Sequence, residues 1–295
     1  MTLSLPFVKM NGLGNDILVV DGRDRPTGLT PDAIRKLSPR ADGIGFDQVV
    51  TLEPDAHGAD IFMRIANGDG GEVEACGNAA RCVADRLFAE AARPELSINT
   101  LGGRLRAWRK PDGTVAVDMG KARFGWAEIP LAHAVADTDA VTEIAAAQAA
   151  GLGPASVANV GNPHVVFWVD DPAAIDLAAL GPAIEHDPLF PNRVNVSFAH
   201  VVAPNRIDLR VWERGAGATR ACGTAACATG ALAARTGRTG PRVTIGLPGG
   251  DLKIEIETDG TIVMAGPVAT DFTGTLDPKD GTFAIDRGAA AAATA

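Results

Sequence analysis

The 295-residue chain contains 46% hydrophobic and 21% charged residues and has a formal net charge of −9. This composition is typical of a globular protein long enough for two domains, and the acidic balance argues against nucleic acid as a partner. The amino-terminal residues have no signal-peptide pattern, and no apolar run reaches the roughly 18–20 residues of a membrane helix. We therefore expect a cytoplasmic protein with no membrane partner.

Strands dominate the predicted elements, with a few helices between them. A short outer helix is expected near residues 31–37, and apolar residues recur at helical spacing from Ala80 onward. Strands are indicated by alternation over residues 115–119 and 253–257 and by a short apolar run over 165–169. A second outer helix is expected near residues 137–150, whereas residues 223–235 are small and apolar almost all round, which predicts a buried helix.

The sequence also contains an internal duplication. Residues 63–80 align with residues 209–226 without a gap, and both end in Ala-Cys-Gly-polar-Ala-Ala, so that Cys76 and Cys222 are equivalent at a shift of 146. Asn15 with Asn162 and Gln48 with Asn195 recur at a shift of 147. We therefore predict an α+β fold of two similar domains, each a curved sheet around a central helix. The predicted boundaries are residues 1–119 with 267–295 for one domain and 120–266 for the other, with the active site in the cleft between them.

Four cysteines, at positions 76, 82, 222 and 227, need an interpretation. Their C-x5-C and C-x4-C spacings do not match the paired C-x2-C ligands of structural zinc, and a cytosolic chain of this length does not need disulfides. For Cys82 and Cys227 we favour the role of small buried hydrophobic residues.

Cys76 and Cys222 each precede a predicted helix, where backbone N–H groups and the helix dipole favour anions. Such cysteines have pKa values lowered from about 8.5, and the following N–H groups can bind a carboxylate. We call residues 75–80 and 221–226 the two cysteine boxes. If both boxes faced one amino-acid α-carbon, they could remove its proton on one face and deliver another on the opposite face. A Cys222–His164 catalytic pair stays open as an alternative, although it would leave the second cysteine box unexplained. The G-x-G sequences lack the third glycine of a dinucleotide site.

Five blocks of the sequence together resemble the diaminopimelate epimerase family. They are KMNGLGND at 9–16, GIGFDQ at 43–48, CGNAARC at 76–82, GNPH at 161–164, and ERGAG at 213–217 followed by ACGT at 221–224. The resemblance implies two pseudo-symmetric domains and a homodimer. It also implies interconversion of LL- and meso-diaminopimelate, for lysine and peptidoglycan precursors, without a cofactor or metal.

Site residues follow from the same resemblance. It makes Cys76 and Cys222 the acid–base pair and places Glu213 and His164 beside the reacting centre, where they tune the thiols. The remaining residues should hold the substrate: Asn15, Gln48, Asn67, Gly77, Asn78, Asn162, Asn195, Glu213, Arg214, Gly223 and Thr224. The sequence departs from the family pattern at Ala79 and Ala225, where glycine is usual, and at Ala218, where an acidic residue is usual.

Three alternatives remain open from sequence. One is a proline or hydroxyproline racemase or epimerase of the same fold. The others are a thiol redox protein that uses Cys76 and Cys222 as a disulfide switch, and an amino-acid-binding module without catalysis. The distal-site residues Asn67, Asn195 and Arg214 favour the epimerase, because proline lacks the second charged end that these side chains would bind.

Overall fold

A computed structural model describes residues 4–286, so residues 1–3 and 287–295 of the predicted first domain lie outside the described part of the chain. The chain divides into two compact units. One comprises the residues up to Val117 together with those from Gly266 onward, and the other comprises Asp118–Ala265.

Strands and helices up to the unit boundary are, in chain order, β1 (Leu5–Gly12), β2 (Asn15–Asp21), α1 (Pro31–Leu37), β3 (Gln48–Glu53), β4 (Ile61–Asn67), β5 (Glu72–Val73), α2 (Gly77–Glu90), β6 (Glu95–Thr100), β7 (Gly103–Arg109) and β8 (Val115–Lys121). Beyond it lie α3 (Ala145–Ala149), β9 (Ala155–Asn159), β10 (Pro163–Trp168), a 3₁₀ turn (Pro172–Ala174), α4 (Leu177–Glu185), β11 (Asn195–Ala203), β12 (Arg206–Glu213), β13 (Gly217–Thr219), α5 (Gly223–Arg235), β14 (Arg242–Leu247), β15 (Gly250–Ile256), β16 (Thr261–Gly266), β17 (Ala269–Leu276) and β18 (Phe283–Asp286).

The two units share one order of strand pairings. In the first unit β2 and β3 are parallel, β3 and β4 antiparallel, β4 and β5 antiparallel, β4 and β6 parallel, and β6 and β7 antiparallel. In the second unit the same relations hold for β10 and β11, β11 and β12, β12 and β13, β12 and β14, and β14 and β15. The repeated topology agrees with the internal duplication, and the predicted α+β class is confirmed. Strand β17 pairs with β1 in the first unit.

In each unit, one of the helices that pack against the strands begins directly after a cysteine. Helix α2 packs on β1, β2 and β7 and is buried from Gly77 to Ala84. Helix α5 packs on β9, β10, β11, β14 and β15, and its small side chains are buried at all but three of its positions. The all-round apolar pattern of residues 223–235 thus predicted a buried helix correctly, because alanine and glycine allow strands to approach from several sides.

The outer helix predicted at residues 31–37 is confirmed as α1, whose N-cap Thr30 accepts a hydrogen bond from the Ala33 N–H. The helix predicted over residues 137–150 is wrong in its first half, because only Ala145–Ala149 are helical. Val141 instead exchanges two backbone hydrogen bonds with Ala155, at 2.7 and 2.8 Å. The Thr138 carbonyl also accepts the Val157 N–H at 2.8 Å, so the backbone groups of Val141 and Thr138 that pair with β9 are not available to a helix. No helix within residues 4–286 is long and apolar enough to cross a membrane.

Candidate functional site

Cys76 lies at the first of two equivalent helix starts. It is the N-cap residue of α2, with an extended backbone at φ −146°, and its carbonyl accepts the first helical hydrogen bond from the Ala80 N–H at 2.9 Å. Its side chain does not cap the helix. The N–H groups of the first turn, from Gly77 onward, therefore have no intrahelical acceptor and suit an anionic group.

Asn15 connects this helix start to β2 and to the loop before β3. Its Oδ1 lies 3.9 Å from the Cys76 Sγ and accepts a hydrogen bond of 3.2 Å from Asn78 Nδ2. Its Nδ2 donates to Asp47 Oδ2 over 3.2 Å, and the same carboxylate oxygen accepts the Asp16 N–H at 2.8 Å. Because Asp47 accepts from the amide nitrogen, the amide oxygen of Asn15 is directed to Cys76 and Asn78.

Gln48 and Asn67 form a second polar pair in the same unit. They are directly opposite each other in the β3–β4 ladder, and Gln48 Nε2 donates to Asn67 Oδ1 over 3.1 Å. The buried Gln48 Oε1 and Asn78 Oδ1 have no hydrogen-bond partner among residues 4–286. Buried acceptors are usually satisfied, so these two oxygens can take donors from a bound ligand.

Cys222 is the N-cap of α5 and repeats the arrangement of Cys76. Its carbonyl accepts the Ala226 N–H at 3.1 Å, and its thiol lies 3.5 Å from the Thr224 hydroxyl. Unlike the half-exposed Cys76, it is only 4% exposed. The Glu213 carboxylate lies against it and also accepts a hydrogen bond of 2.5 Å from the Thr219 hydroxyl.

The expectation of a lowered pKa is wrong for Cys222. Burial raises the pKa of this thiol well above its ordinary value, and the charge of Glu213 and the hydrogen bond to its carboxylate raise it further. Hydrogen bonds from the Thr224 hydroxyl and the Ala225 N–H lower the pKa of Cys222, but burial and Glu213 raise it by more. The methyl group at Ala225 therefore leaves the helix N–H available to the sulfur, and Cys222 is a thiol at neutral pH in this structure.

His164 is fully buried next to this second box. Burial, and then the nearby Arg214 charge, lower the pKa of His164 to about 3, so the imidazole is neutral. Its Nε2 lies 2.8 Å from Asn162 Oδ1, and the Asn162 Nδ2 is within 3.4 Å of the Thr224 hydroxyl. Since this Asn162 oxygen can only accept, Nε2 carries the proton and Nδ1 is an acceptor. The buried Nδ1 has no hydrogen-bond partner within residues 4–286.

Asn195 and Arg214 are neighbours, and the amide of Asn195 is engaged at both ends. Asn195 Nδ2 donates to the Pro163 carbonyl at 2.9 Å, while its Oδ1 accepts the Arg214 N–H at 3.0 Å. Arg214 is exposed, and its Nη1 donates to the Asn192 carbonyl at 3.0 Å. Asn195 thus holds the backbone that carries Arg214, whose guanidinium retains further donors for a ligand.

The predicted site residues therefore fall into two groups, one in each unit. The first unit brings together Cys76, Asn15 and Asn78 and pairs Gln48 with Asn67. The second brings together Cys222, Thr224, Asn162 and His164, and places Glu213 and Arg214 on one hairpin. Cys82 and Cys227 are buried, as predicted, and burial raises the pKa of Cys82 to about 12. Within residues 4–286, no group of three His, Cys, Asp or Glu side chains is arranged to hold a metal ion.

Sequence reasoning missed three residues that contact this machinery. Asp47 binds Asn15, Thr219 binds Glu213, and Glu185 binds the hairpin that carries Glu213 and Arg214. Asp47 lies within the block at 43–48, and Thr219 lies between the two parts of the last block, so their positions could have identified them. Glu185 lies at the end of α4, away from every block. The one sequence feature that could have identified it is a carboxylate at the end of an otherwise apolar helix.

Comparisons with known proteins agree on the family. The family model described as diaminopimelate epimerase matches residues 7–125 and 156–270. A diaminopimelate epimerase of Rhodospirillum centenum is 52% identical over 274 residues, which cover 92% of this chain and 91% of the relative. A diaminopimelate epimerase of Brucella anthropi is 46% identical over 289 residues, which cover 97% and 96% of the two chains.

Similar solved structures show the fold alone, because their sequences are distant. A phenazine biosynthesis protein of the PhzF family from Enterococcus faecalis superimposes with a TM-score of 0.69 at 14% identity, covering 92% of this chain and 99% of its own. A hydroxyproline epimerase from Agrobacterium vitis gives a TM-score of 0.61 at 17% identity, covering 94% and 92%. The family model and the two curated relatives match at far higher similarity and over most of the chain, and they confirm the resemblance drawn from the sequence blocks: the chain belongs to the diaminopimelate epimerase family.

Proposed function

We propose that this chain interconverts LL- and meso-diaminopimelate without a cofactor, with Cys76 and Cys222 as the acid–base pair. Membership of the family makes the chain an isomerase. The observation that carries the mechanism is the repeated placement of a cysteine at the N-cap of a buried helix, once in each unit. In the catalytic complex the two thiols act on opposite faces of one α-carbon.

The raised pKa of Cys222 supports a starting state in which Cys222 is the protonated member of the pair. A thiol at Cys222 can donate a proton but cannot remove one, so it is the acid in the reaction direction that starts from this state. In that direction a Cys76 thiolate removes the α-proton on one face, and the Cys222 thiol delivers its proton to the opposite face, so that Cys76 ends as the thiol and Cys222 as the thiolate. The reverse reaction exchanges the two roles, so both sulfur atoms must change protonation state in every turnover.

Charge develops on the substrate carboxylate when its α-proton leaves. The N–H groups of the two first helical turns, from Gly77, Asn78, Gly223 and Thr224, can stabilise that charge, because helix N-termini combine outward N–H groups with a positive dipole end. The neutral His164, through its acceptor Nδ1, and the Glu213 carboxylate can receive hydrogen bonds from the α-amino group. This arrangement requires no cofactor to stabilise the carbanion-like intermediate.

The remaining polar side chains are assigned to holding the substrate, chiefly its distal, non-reacting end. Arg214 can bind its carboxylate with two parallel hydrogen bonds. Asn15, Gln48, Asn67, Asn162 and Asn195 complete the proposed binding set. The same proposal places the enzyme in lysine and peptidoglycan precursor synthesis.

The proposal is tested by incubating the purified, dialysed chain with LL-diaminopimelate and separating the stereoisomers by chiral chromatography. We expect meso-diaminopimelate to form without added cofactor and in the presence of a chelator. Proline and 4-hydroxyproline serve as competing substrates. Epimerisation of either at a rate comparable with that of diaminopimelate would favour the racemase alternative, and absence of any product would overturn the proposed activity.

A further inference from the structure

Helix α4 ends in a buried carboxylate that none of the recognised sequence blocks contains. Glu185 is 3% exposed, and both of its oxygens accept hydrogen bonds. Oε2 accepts from the Trp212 indole Nε1 at 2.8 Å, and Oε1 accepts from the Gly215 backbone N–H at 2.9 Å. Arg193 Nη1 approaches Oε1 at 3.4 Å. A buried carboxylate is stable only when such donors compensate for its lost hydration.

The two principal donors lie on either side of Glu213 and Arg214. Trp212 precedes these residues at the end of β12, and Gly215 follows them in the turn to β13. Gly215 has φ +75°, a backbone conformation that favours glycine. The N–H group that donates to Glu185 therefore lies in a turn that few other residues could form. Glu185 therefore holds both ends of the short segment that carries two proposed site residues.

Helix α4 also fixes the Trp212 ring by shape. A Cβ atom at Gly181 would lie only 2.4 Å from Cδ2 of Trp212, so the indole packs directly on the helix backbone. The Arg214 N–H is held independently by Asn195 Oδ1 at 3.0 Å. Hydrogen bonds from Trp212, Arg214 and Gly215 thus hold the segment, and Glu185 accepts two of the three.

We propose that Glu185 is a positioning residue that fixes the Glu213–Arg214 segment for catalysis. This inference rests on the proposed function, because it concerns the placement of two residues of that site. Only a carboxylate offers an acceptor at both terminal atoms, so glutamine, which has one oxygen and one NH₂ group, must leave either Trp212 or Gly215 without its acceptor.

The test compares Glu185→Gln with the control Asp187→Asn. Asp187 is also buried and lies two residues further along, and it accepts the Ala145 and Leu189 N–H groups at 3.1 and 3.0 Å without contacting the hairpin. Both variants lose a carboxylate in the same region and should lose thermal stability. We expect Glu185→Gln to lower kcat/KM for diaminopimelate about 10- to 100-fold, because small misplacements of catalytic groups have effects of this size. Asp187→Asn should stay within about twofold of wild type, as expected for a site without a catalytic contact.

Two further measurements separate positioning from a general loss of structure. Hydrogen–deuterium exchange across residues 212–217 should become faster in Glu185→Gln and stay unchanged in Asp187→Asn. Combining Glu185→Gln with Arg214→Lys should lower kcat/KM by less than the product of the two single effects, because both act on the same segment. If Glu185→Gln fails to fold, two milder variants replace it. Glu185→Asp keeps both acceptor oxygens on a side chain one methylene shorter, and Trp212→Phe removes one donor but keeps a ring on Gly181. Each should lower kcat/KM and speed exchange across residues 212–217, but less than Glu185→Gln.

Equal kcat/KM in Glu185→Gln and Asp187→Asn, or unchanged exchange across the hairpin in Glu185→Gln, would overturn the proposal. If the wild-type chain did not epimerise diaminopimelate, the proposed function would fail on that result alone. The exchange measurement needs no substrate, so it would still show whether Glu185 fixes the hairpin.

Discussion

The Thr219 hydroxyl donates a hydrogen bond of 2.5 Å to Oε1 of Glu213, the carboxylate that lies against the Cys222 thiol. Glu213 ends β12 and Thr219 ends β13, so the hairpin between these strands brings them together. Thr219 therefore fixes the orientation of the group that, with burial, keeps Cys222 protonated.

Replacement of Thr219 by valine keeps the shape of the side chain but removes this donor. Hydrogen bonds to charged groups contribute about 1.5–3 kcal/mol. If the whole of that energy stabilises the transition state, its loss should lower kcat/KM roughly 10- to 100-fold. Thr219→Ser should recover most of the activity. Thr261→Val is the control, since Thr261 also donates to a carboxylate, that of Asp259 at 3.0 Å, away from Cys222. Equal kinetics in the two valine variants would contradict the role of Thr219.

Removal of the Glu213 charge should lower the pKa of Cys222. Because a neighbouring negative charge disfavours a second one, the wild-type thiol ionises only at high pH, and Glu213→Gln should shift its ionisation to lower pH. The pH dependence of Cys222 alkylation by iodoacetamide, followed by mass spectrometry, measures this shift. Glu143→Gln, at an exposed glutamate paired with His133, should leave the profile unchanged. An unchanged or raised midpoint in Glu213→Gln would show that Glu213 does not raise the pKa.

Asp47 should support activity through Asn15. In Asp47→Asn, Asn15 loses a charged acceptor that orients its amide, and we expect about a tenfold loss of kcat/KM from one weakened hydrogen bond to a charged group. Asp47 pairs with Arg40 at 2.7 Å. Asp32→Asn is the matched control, because Asp32 likewise pairs with an arginine, Arg35, but is exposed on α1. If both variants have wild-type kinetics, Asp47 does not position Asn15 for catalysis.

Specificity for the distal end should depend on Arg214. Arg214→Lys keeps the charge but loses the planar fork that binds a carboxylate with two hydrogen bonds, so kcat/KM for diaminopimelate should fall strongly. Lysine lacks the distal carboxylate and proline lacks the whole distal arm, so both should be very poor substrates of the wild-type enzyme. Arg242→Lys, at an exposed arginine paired with Glu255, is the control. Unaffected Arg214→Lys kinetics would favour the racemase alternative.

The sequence predicted the features that depend on local pattern. The cysteine boxes, the buried helix after Cys222 and the α+β class follow from spacing and apolar periodicity, and the structure confirms these elements. The family is confirmed by the curated relatives. The domain boundaries, the roles of the site residues, the homodimer and the cytoplasmic location stay predictions.

Features that depend on tertiary neighbours could not be predicted from one sequence. The helix-start argument gave the wrong direction for the pKa of Cys222, because burial and Glu213 outweigh the local N–H groups. The helix expected over residues 137–150 is absent from its first half, because Val141 pairs with Ala155, which lies outside that segment of the sequence. Glu185 is recognisable only from the donors that converge on it in three dimensions.

The central claim is that two thiols exchange the α-proton of diaminopimelate with solvent, and deuterium incorporation measures this directly. Purified wild-type chain, Cys76→Ala and Cys222→Ala are incubated with LL-diaminopimelate in deuterated buffer without cofactor, and the α-carbons are followed by NMR. General acid–base groups typically contribute about 10²–10⁴-fold, so the account predicts deuterium and meso product with the wild type and loss of epimerisation in either variant. A variant that retains more than about a tenth of wild-type epimerisation, well outside that range, would contradict the two-thiol mechanism for that cysteine.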